Sequence, residues 1–565
     1  MNSVLHIIHH QIQARPQSAA LYSYESHTYA PMSYLEMGLL AQQLSAWIST
    51  FCAPKERLVI WASNCWEWAI TDFATQLSGA ISIPLYPTTG IDQLNYILGD
   101  ARPAIVFVDS LSSKRLSILS NIQGIKKIIS FSNNLPDQAS DLVMRFSEIM
   151  TQISKPTSLD EAQWVANRLD DPLTILYTSG TTGPPKAVPL THNNIVQNFT
   201  GLQHIIPITN TDSSLSFLPL SHIFERTVGF YCVLGVGASI FYAQSMDTVA
   251  QDLLKAKPTF IISVPRLYEK IHAKVMQTTG IKKRILLIAL TIGHRLKKGH
   301  WLWNIAHRIV FSSIHQKTGG NVRFLVSGGA SLSSHIESFF NAIDLPVIQG
   351  YGLTETSPII SANLDQKIGS VGKVLPNITL KLLDDGEITV KGPSVFSGYL
   401  NTPNTDTFTD EGYFKTGDYG HIDENGYLFI TGRKKELIVL SNGKNVAPAS
   451  IEAILSQSNY IHQIMVIGDN QSYLTALVSP NVEHLQQQLR LPISDSLFQS
   501  KAEALILSDI QRLSQSLASY ETVKKIALLN HEFSIEGTEL TPTLKLRRPN
   551  INKKYQNLIE SLYDS

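Results

Sequence analysis

Tyr177-Thr-Ser-Gly-Thr-Thr-Gly-Pro-Pro-Lys186 decides how the rest of this chain is read. Four hydroxyl residues (Thr178, Ser179, Thr181 and Thr182) and two glycines (Gly180 and Gly183) follow the strand-like run Thr174-Ile-Leu-Tyr177. Glycines let the backbone approach an anion, successive N–H groups form an anion nest, and the hydroxyls and the Lys186 ammonium add donors. The Gly-Lys-[Ser/Thr] of a Walker loop is missing, and prolines lead into a second strand-like run, Ala187-Val-Pro-Leu190. A plain surface turn is the alternative, and the order of the residues argues against it.

Upstream of this loop, helical patterns alternate with short apolar strands at Leu58–Trp61, Ala80–Ile83, Ala104–Val108 and Lys127–Ser130. Downstream lie Thr259–Ser263 and Val322–Val326. Such alternation predicts layered α/β subdomains with mostly parallel sheets. Near Ile378 the pattern changes to short alternating strands with Asp385-Gly386, Asn425-Gly426 and Asn442-Gly443 turns, a small β-rich subdomain. An α+β pattern resumes after Gly432-Arg-Lys-Lys-Glu436, with strands at Gln463–Ile467 and Leu474–Val478 and a helix near Lys501–Ser519. The reading is a large N-terminal domain over 1–431, a short charged hinge at 432–436, and a small mobile C-terminal domain over 437–565.

Bulk properties exclude more than they assign. A chain of 565 residues is too long for one core. Lys+Arg and Asp+Glu are both 46, so no global field recruits nucleic acid. Three scattered cysteines suit a reducing cytosol better than a disulfide framework. The start, MNSVLHIIHHQIQARP, lacks the basic and apolar regions of a secretory leader. Val228–Met246 is uncharged, but its glycines favour a buried helix–turn–strand over a membrane span. Oligomeric state leaves no signal.

Further chemistry is dense elsewhere. In Gln349-Gly-Tyr-Gly-Leu-Thr-Glu-Thr-Ser357, Tyr351 can lie flat against a base because Gly350 and Gly352 bear no side chains. Glu355 is a hard oxygen ligand suited to a phosphate-bound Mg²⁺, with Thr178 as a second metal candidate, and Thr354 can donate to a phosphate. Gly328, Gly329 and Ala330 leave room for a flat base edge. Tyr413-Phe-Lys-Thr-Gly-Asp418 supplies a carboxylate, and Arg433 stands before the hinge. Leu540-Thr-Pro-Thr-Leu-Lys-Leu-Arg-Arg548 offers Lys545, with a basic surface strand as the alternative reading.

In their order these motifs strongly resemble the adenylate-forming (AMP-binding) superfamily, in particular long-chain fatty acyl-CoA synthetases. The likeness covers essentially the whole chain, with Ala187 where the family's loop usually has glycine and Leu544 where it usually has the glycine of Gly-Lys. It implies ATP, Mg²⁺ and coenzyme A as ligands, and activation of a fatty acid as acyl-AMP followed by transfer to coenzyme A. It further implies that residues 178–183 and Lys186 cradle phosphates, that Gly328–Ala330 and Tyr351 hold adenine, and that Asp418 holds the ribose. Arg433 would contact ribose or phosphate, Lys545 would catalyse adenylation, and Gly443 and Lys444 would flank the pantetheine. Ser216–Arg226 resembles the acyl-pocket segment, with His222 near the reacting carboxylate. Phe217-Leu218 stands there in place of the Phe-Asp of amino-acid-activating domains. Alternatives left open are a fatty-acyl-AMP ligase that loads an acyl carrier protein and an acyl- or aryl-CoA ligase for a shorter acid.

Ser263–Ile271 and the insert after it also look like the long-chain enzymes. Lys282-Lys-Arg284, Arg295, Lys297 and Lys298 surround an apolar run, with Trp301 and Trp303 behind. A basic, Trp-flanked helix near 282–303 can lie in a membrane interface; a helix that covers the core with a solvated basic face fits equally. The expected location is the cytoplasm, with peripheral docking on the cytoplasmic membrane face if the helix serves that role.

Overall fold

The computed structural model describes residues 2–137, 141–178, 184–203, 205–296, 298–400, 402–541 and 545–563, Ser516 through its backbone only. Among them, a seven-stranded sheet runs Val143–Arg145, Lys127–Ser130, Ile105–Val108, Arg57–Trp61, Ile81–Leu85, Pro172–Thr178, Lys186–Thr191. It is parallel except for the last pair, where Thr178 faces Lys186. Its central strands are largely apolar because both faces are covered. Leu58 and Ile60 feed one core, Val59 and Trp61 another.

A nine-stranded sheet, parallel at its centre, carries Ser213–Ser216, Phe260–Ser263, Phe324–Ser327 and Val347–Gly352 side by side. The carboxyl ends of these last two strands deliver Gly328 and Tyr351 to neighbouring places. A four-stranded antiparallel sheet (Thr379–Leu382, Glu387–Lys391, Phe414–Ile422, Leu428–Arg433) forms the predicted β-rich part. Gly386, Gly426 and Gly443 each have positive φ (87°, 83° and 79°), as the predicted hairpin turns require. Beyond Ile438 the chain has its own cores, one on each face of the sheet Ile461–Ile467, Leu474–Pro480, Val523–Leu528. The helix predicted near Lys501–Ser519 runs Phe498–Leu513 and ends in a 3₁₀ turn at Ser514–Ser516.

The uncharged stretch is a buried helix–turn–strand, as read, but the helix that opens it begins three residues earlier and is a π-helix, Glu225–Cys232. Gly229 makes that winding fit: a Cβ there would lie 2.6 Å from the Glu225 carboxyl. Arg226 in the same element is fully buried beside Asp72. Its guanidinium also donates to Thr174 Oγ1 (2.8 Å) and Ser82 Oγ (2.6 Å), and Tyr231 Oη donates to Asp72 Oδ2 (2.5 Å). This network ties the seven-stranded sheet to the wall of the other. Among the described residues no helix is long and apolar enough to cross a membrane.

Removing one partner of such a pair strands a buried charge. Asp72→Ala should lower stability by about 3–5 kcal/mol, whereas Asp72→Leu combined with Arg226→Met should recover much of it. Denaturant midpoints of the three proteins check this; an unshifted midpoint in Asp72→Ala would show that the network contributes nothing to holding the sheets together.

Candidate active site

The hairpin Phe414–Ile422 / Leu428–Arg433 sets Asp418 directly across from Arg433. Arg433 Nε donates to Asp418 Oδ1 at 2.7 Å, and Tyr351 Oη donates to Asp418 Oδ2 at 2.9 Å. Asp418 is buried, so its charge is stabilised by these two donors and by little water. The phenol tether fixes the plane of the Tyr351 ring at the end of its strand. The reason expected for one neighbouring glycine changes, however. A Cβ at Gly352 would lie 1.7 Å from the Pro358 carbonyl oxygen, so that glycine serves the close approach of two backbones. Gly328 likewise makes room for the Phe224 ring, 2.7 Å from where its Cβ would stand, while Gly329 is open.

Glu355 sits in the 3₁₀ turn Thr354–Thr356 and is buried. Its Oε1 accepts from Tyr399 Oη at 2.7 Å, and the Lys186 ammonium lies over the same ring, 4.3 Å from its centroid. Tyr399 belongs to none of the sequence motifs. A backbone bridge between Ala187 and Leu400 brings it in, and nothing in its local sequence announces that contact. Thr178 Oγ1 lies 3.4 Å from the Lys186 carbonyl oxygen. Glu355 and Thr178 fit a Mg²⁺ held by one carboxylate, substrate phosphates and water; no cluster of three His, Cys, Asp or Glu stands among the described residues. Ser179, Gly180, Thr181, Thr182 and Gly183 lie outside the described residues.

Lys545 reaches this place from the C-terminal part. Thr541 N–H donates to the Lys545 carbonyl (2.8 Å) and Lys545 N–H to Thr541 Oγ1 (3.0 Å), which ties the backbone of Lys545 to Thr541. Enclosure, then the neighbouring Arg433, push its ammonium pKa down to about 8 against the pull of Asp418 and Glu436. His222 is pushed down to about 3 by burial and then by Lys545, so its imidazole is neutral. Its Nδ1 accepts from Phe224 N–H at 3.2 Å. Burial raises Glu225 to about 8, although Ser216 Oγ donates to it at 2.7 Å. Burial thus favours the neutral form of this acid. Arg548, by contrast, is engaged within the C-terminal part by Glu452 (2.6 Å).

Gly443 and Lys444 are not brought into this cluster. They cap an exposed hairpin, where the Lys444 ammonium lies 4.3 Å from the Tyr520 ring centroid. On the insert, the helix Gly280–Arg295 exposes Ile281 (77%) and Ile288 (62%), and the chain after it exposes Trp301 (64%). Trp303 departs from the expectation: it is buried against Phe311 and cannot meet a lipid. Lys283 also turns back, onto the Met276 carbonyl. Lys297 lies outside the described residues.

Residues 8–400 match the AMP-binding enzyme family, and residues 435–565 match the AMP-binding enzyme C-terminal domain. Among curated relatives, the long-chain-fatty-acid–CoA ligase FadD15 of Mycobacterium bovis is 33% identical over 90% of this chain and 88% of its own. Long chain acyl-CoA synthetase 5 of Arabidopsis thaliana is 31% identical over 90% of this chain and 83% of its own. The crystallised adenylation domain of a carboxylate reductase from Mycobacterium chelonae shares the fold, with a TM-score of 0.79 at 22% identity, covering 99% of this chain and 91% of that one. With both parts matched and the relatives aligned nearly end to end, the chain belongs to the AMP-binding enzymes.

Proposed function

We propose that this protein is a long-chain-fatty-acid–CoA ligase. It joins a fatty acid to AMP at the expense of ATP, releases pyrophosphate, and passes the acyl group to coenzyme A. The observation that carries the chemistry is the meeting of Lys545 with Arg433, Asp418 and His222, drawn from both parts of the chain.

Attack of a carboxylate oxygen on the α-phosphorus brings two anions together, so charge compensation and positioning dominate catalysis. Lys545 serves the forming bond between carboxylate and α-phosphate, and Thr354 donates to the α-phosphate. Lys186 and the hydroxyls and N–H groups of 178–183 hold the β- and γ-phosphates. Neutral His222 borders the reacting carboxylate without cancelling the pull of Lys545. Tyr351 and Gly328–Ala330 take adenine, and Asp418 takes the ribose hydroxyls on lone pairs left by Arg433 and Tyr351. Glu355 and Thr178 would hold Mg²⁺, which when bound offsets charge on the phosphates. As the bond forms, the α–β bridging oxygen leaves with pyrophosphate. In the second step a coenzyme A thiolate attacks the acyl carbonyl carbon and AMP departs.

The second step needs a different surface. We assign residues 432–436 as a hinge between the domains 1–431 and 437–565. Turning there withdraws Lys545 and brings Gly443 and Lys444 to the pantetheine. The exposed hairpin and the inserted lysine are the two ends of this exchange. A third assignment concerns the insert: exposed Ile281, Ile288 and Trp301, with exposed Lys282 and Arg284 on the same helix, suit an anionic membrane surface where fatty acid collects.

Three outcomes check these roles. Lys545→Ala should abolish acyl-adenylate formation yet still turn supplied acyl-adenylate and coenzyme A into thioester. Gly443→Trp should do the reverse, and equal loss of both half-reactions in both folded variants would contradict the hinge. Glu355→Gln should slow adenylation on the order of 10²-fold, since one charged metal ligand is worth a few kcal/mol in the transition state; wild-type rates at limiting Mg²⁺ would refute that role. Ile288→Glu should weaken sedimentation with anionic vesicles and spare turnover of detergent-dispersed oleate, and unchanged sedimentation at low salt would leave the helix a cover for the core.

A further inference from the structure

Arg266 is the second residue of the helix Pro265–Met276, which starts where the strand Phe260–Ser263 ends. Its guanidinium reaches across to the C-terminal part. Nη1 donates to the His462 carbonyl oxygen at 3.1 Å, and Nη2 lies 3.2 Å from His462 Nε2. His462 belongs to Ile461–Ile467, an edge strand of its sheet, and falls at a register shift between the paired residues Ile461 and Gln463. Such a bulge re-aims one residue out of the ladder, and here both its carbonyl and its ring meet Arg266.

The protonation of the ring follows from its partners. A guanidinium only donates, so Nε2 must accept, and the ring proton stands on Nδ1 facing Glu532 Oε1 at 2.9 Å. A second proton would put an N–H against Nη2 and a cation beside Arg266 and Lys270. The groups facing His462 are Arg266 and Lys270 from the N-terminal side and Glu532 from its own side. Glu269, 3.5 Å from Arg266, holds the guanidinium from behind.

We infer that Arg266 is a positioning residue for adenylation: it clasps neutral His462 and so holds the C-terminal domain where Lys545 enters the site. This rests on the hinge reading, because turning at 432–436 must part Arg266 from His462. The clasp is strong only when His462 is neutral. Burial and then Arg266 lower its pKa while docked, and Glu532 opposes them. Undocked, the ring loses Arg266 and Lys270 and keeps Glu532, so its pKa rises. Docking therefore releases a proton, is fully favoured above the undocked pKa, and is lost as pH falls from there toward the docked pKa.

The test uses the full chain and both half-reactions. Arg266→Ala should slow fatty-acid-dependent ATP–pyrophosphate exchange about ten-fold, roughly the weight of one charge-assisted hydrogen bond. Thioester formation from supplied acyl-adenylate should be unchanged or faster. In the wild type, exchange should decline on acidification relative to the thioester step. His462→Gln, whose amide oxygen accepts from Arg266 at any pH, should flatten that decline. Equal effects of Arg266→Ala on both half-reactions, no effect on either, or an acid limb that His462→Gln leaves in place would each overturn the clasp. Lys545→Ala, run alongside, separates the two readings. If it keeps exchange activity, the alternation itself falls; if it loses exchange while Arg266→Ala behaves as wild type, only the clasp falls.

Discussion

Everything at this site depends on holding cations together where few carboxylates neutralise them. Lys545 stands beside Arg433, and the nearest balancing charge is Asp418, already engaged by Arg433 and the Tyr351 phenol. Burial first and then Arg433 make a charged Lys545 costly, which pushes its pKa down to about 8. A triphosphate removes the cost. Binding energy and catalysis therefore draw on one field, which strengthens as charge builds on the α-phosphate and its oxygens.

Arg226, Asp72, Tyr231 and Ser82 tie the seven-stranded sheet to the wall of the other through a network without access to water, and the carboxyl ends of Phe324–Ser327 and Val347–Gly352 are spaced by their own parallel ladder. Contacts between Arg266 and the His462 carbonyl at 3.1 Å, and between Ser333 and the Ala453 carbonyl at 3.5 Å, are of another kind, polar and replaceable by water.

Much of this was legible in the sequence, for identifiable reasons. Short, largely apolar runs gave away the buried parallel strands, and Asp-Gly and Asn-Gly gave the hairpins. The turn at Asn425-Gly426 even brings Asp418 and Arg433 near each other; the register shift between Tyr419 and Gly420 settles that they meet, and no residue type announces it. Tyr399 was invisible because a bridge from Leu400 to Ala187 recruits it, a contact made in space and not in sequence. Trp303 misled because an aromatic beside basic residues reads the same whether it faces lipid or core. Gly352 misled because the absence of a side chain fits a bound base and a close backbone equally well.

The most direct test of the proposed chemistry follows an atom. With fatty acid labelled by ¹⁸O in both carboxyl oxygens, attack on the α-phosphorus leaves one labelled oxygen on AMP and one in the thioester carbonyl. Mass spectrometry of the products of a single turnover with ATP, Mg²⁺ and coenzyme A reads this directly. Labelled AMP is the predicted result. Label in inorganic phosphate, accompanied by ADP and no AMP, would mean that the acid attacks the γ-phosphorus, and Lys545 and Thr354 could then have no role at the α-phosphate.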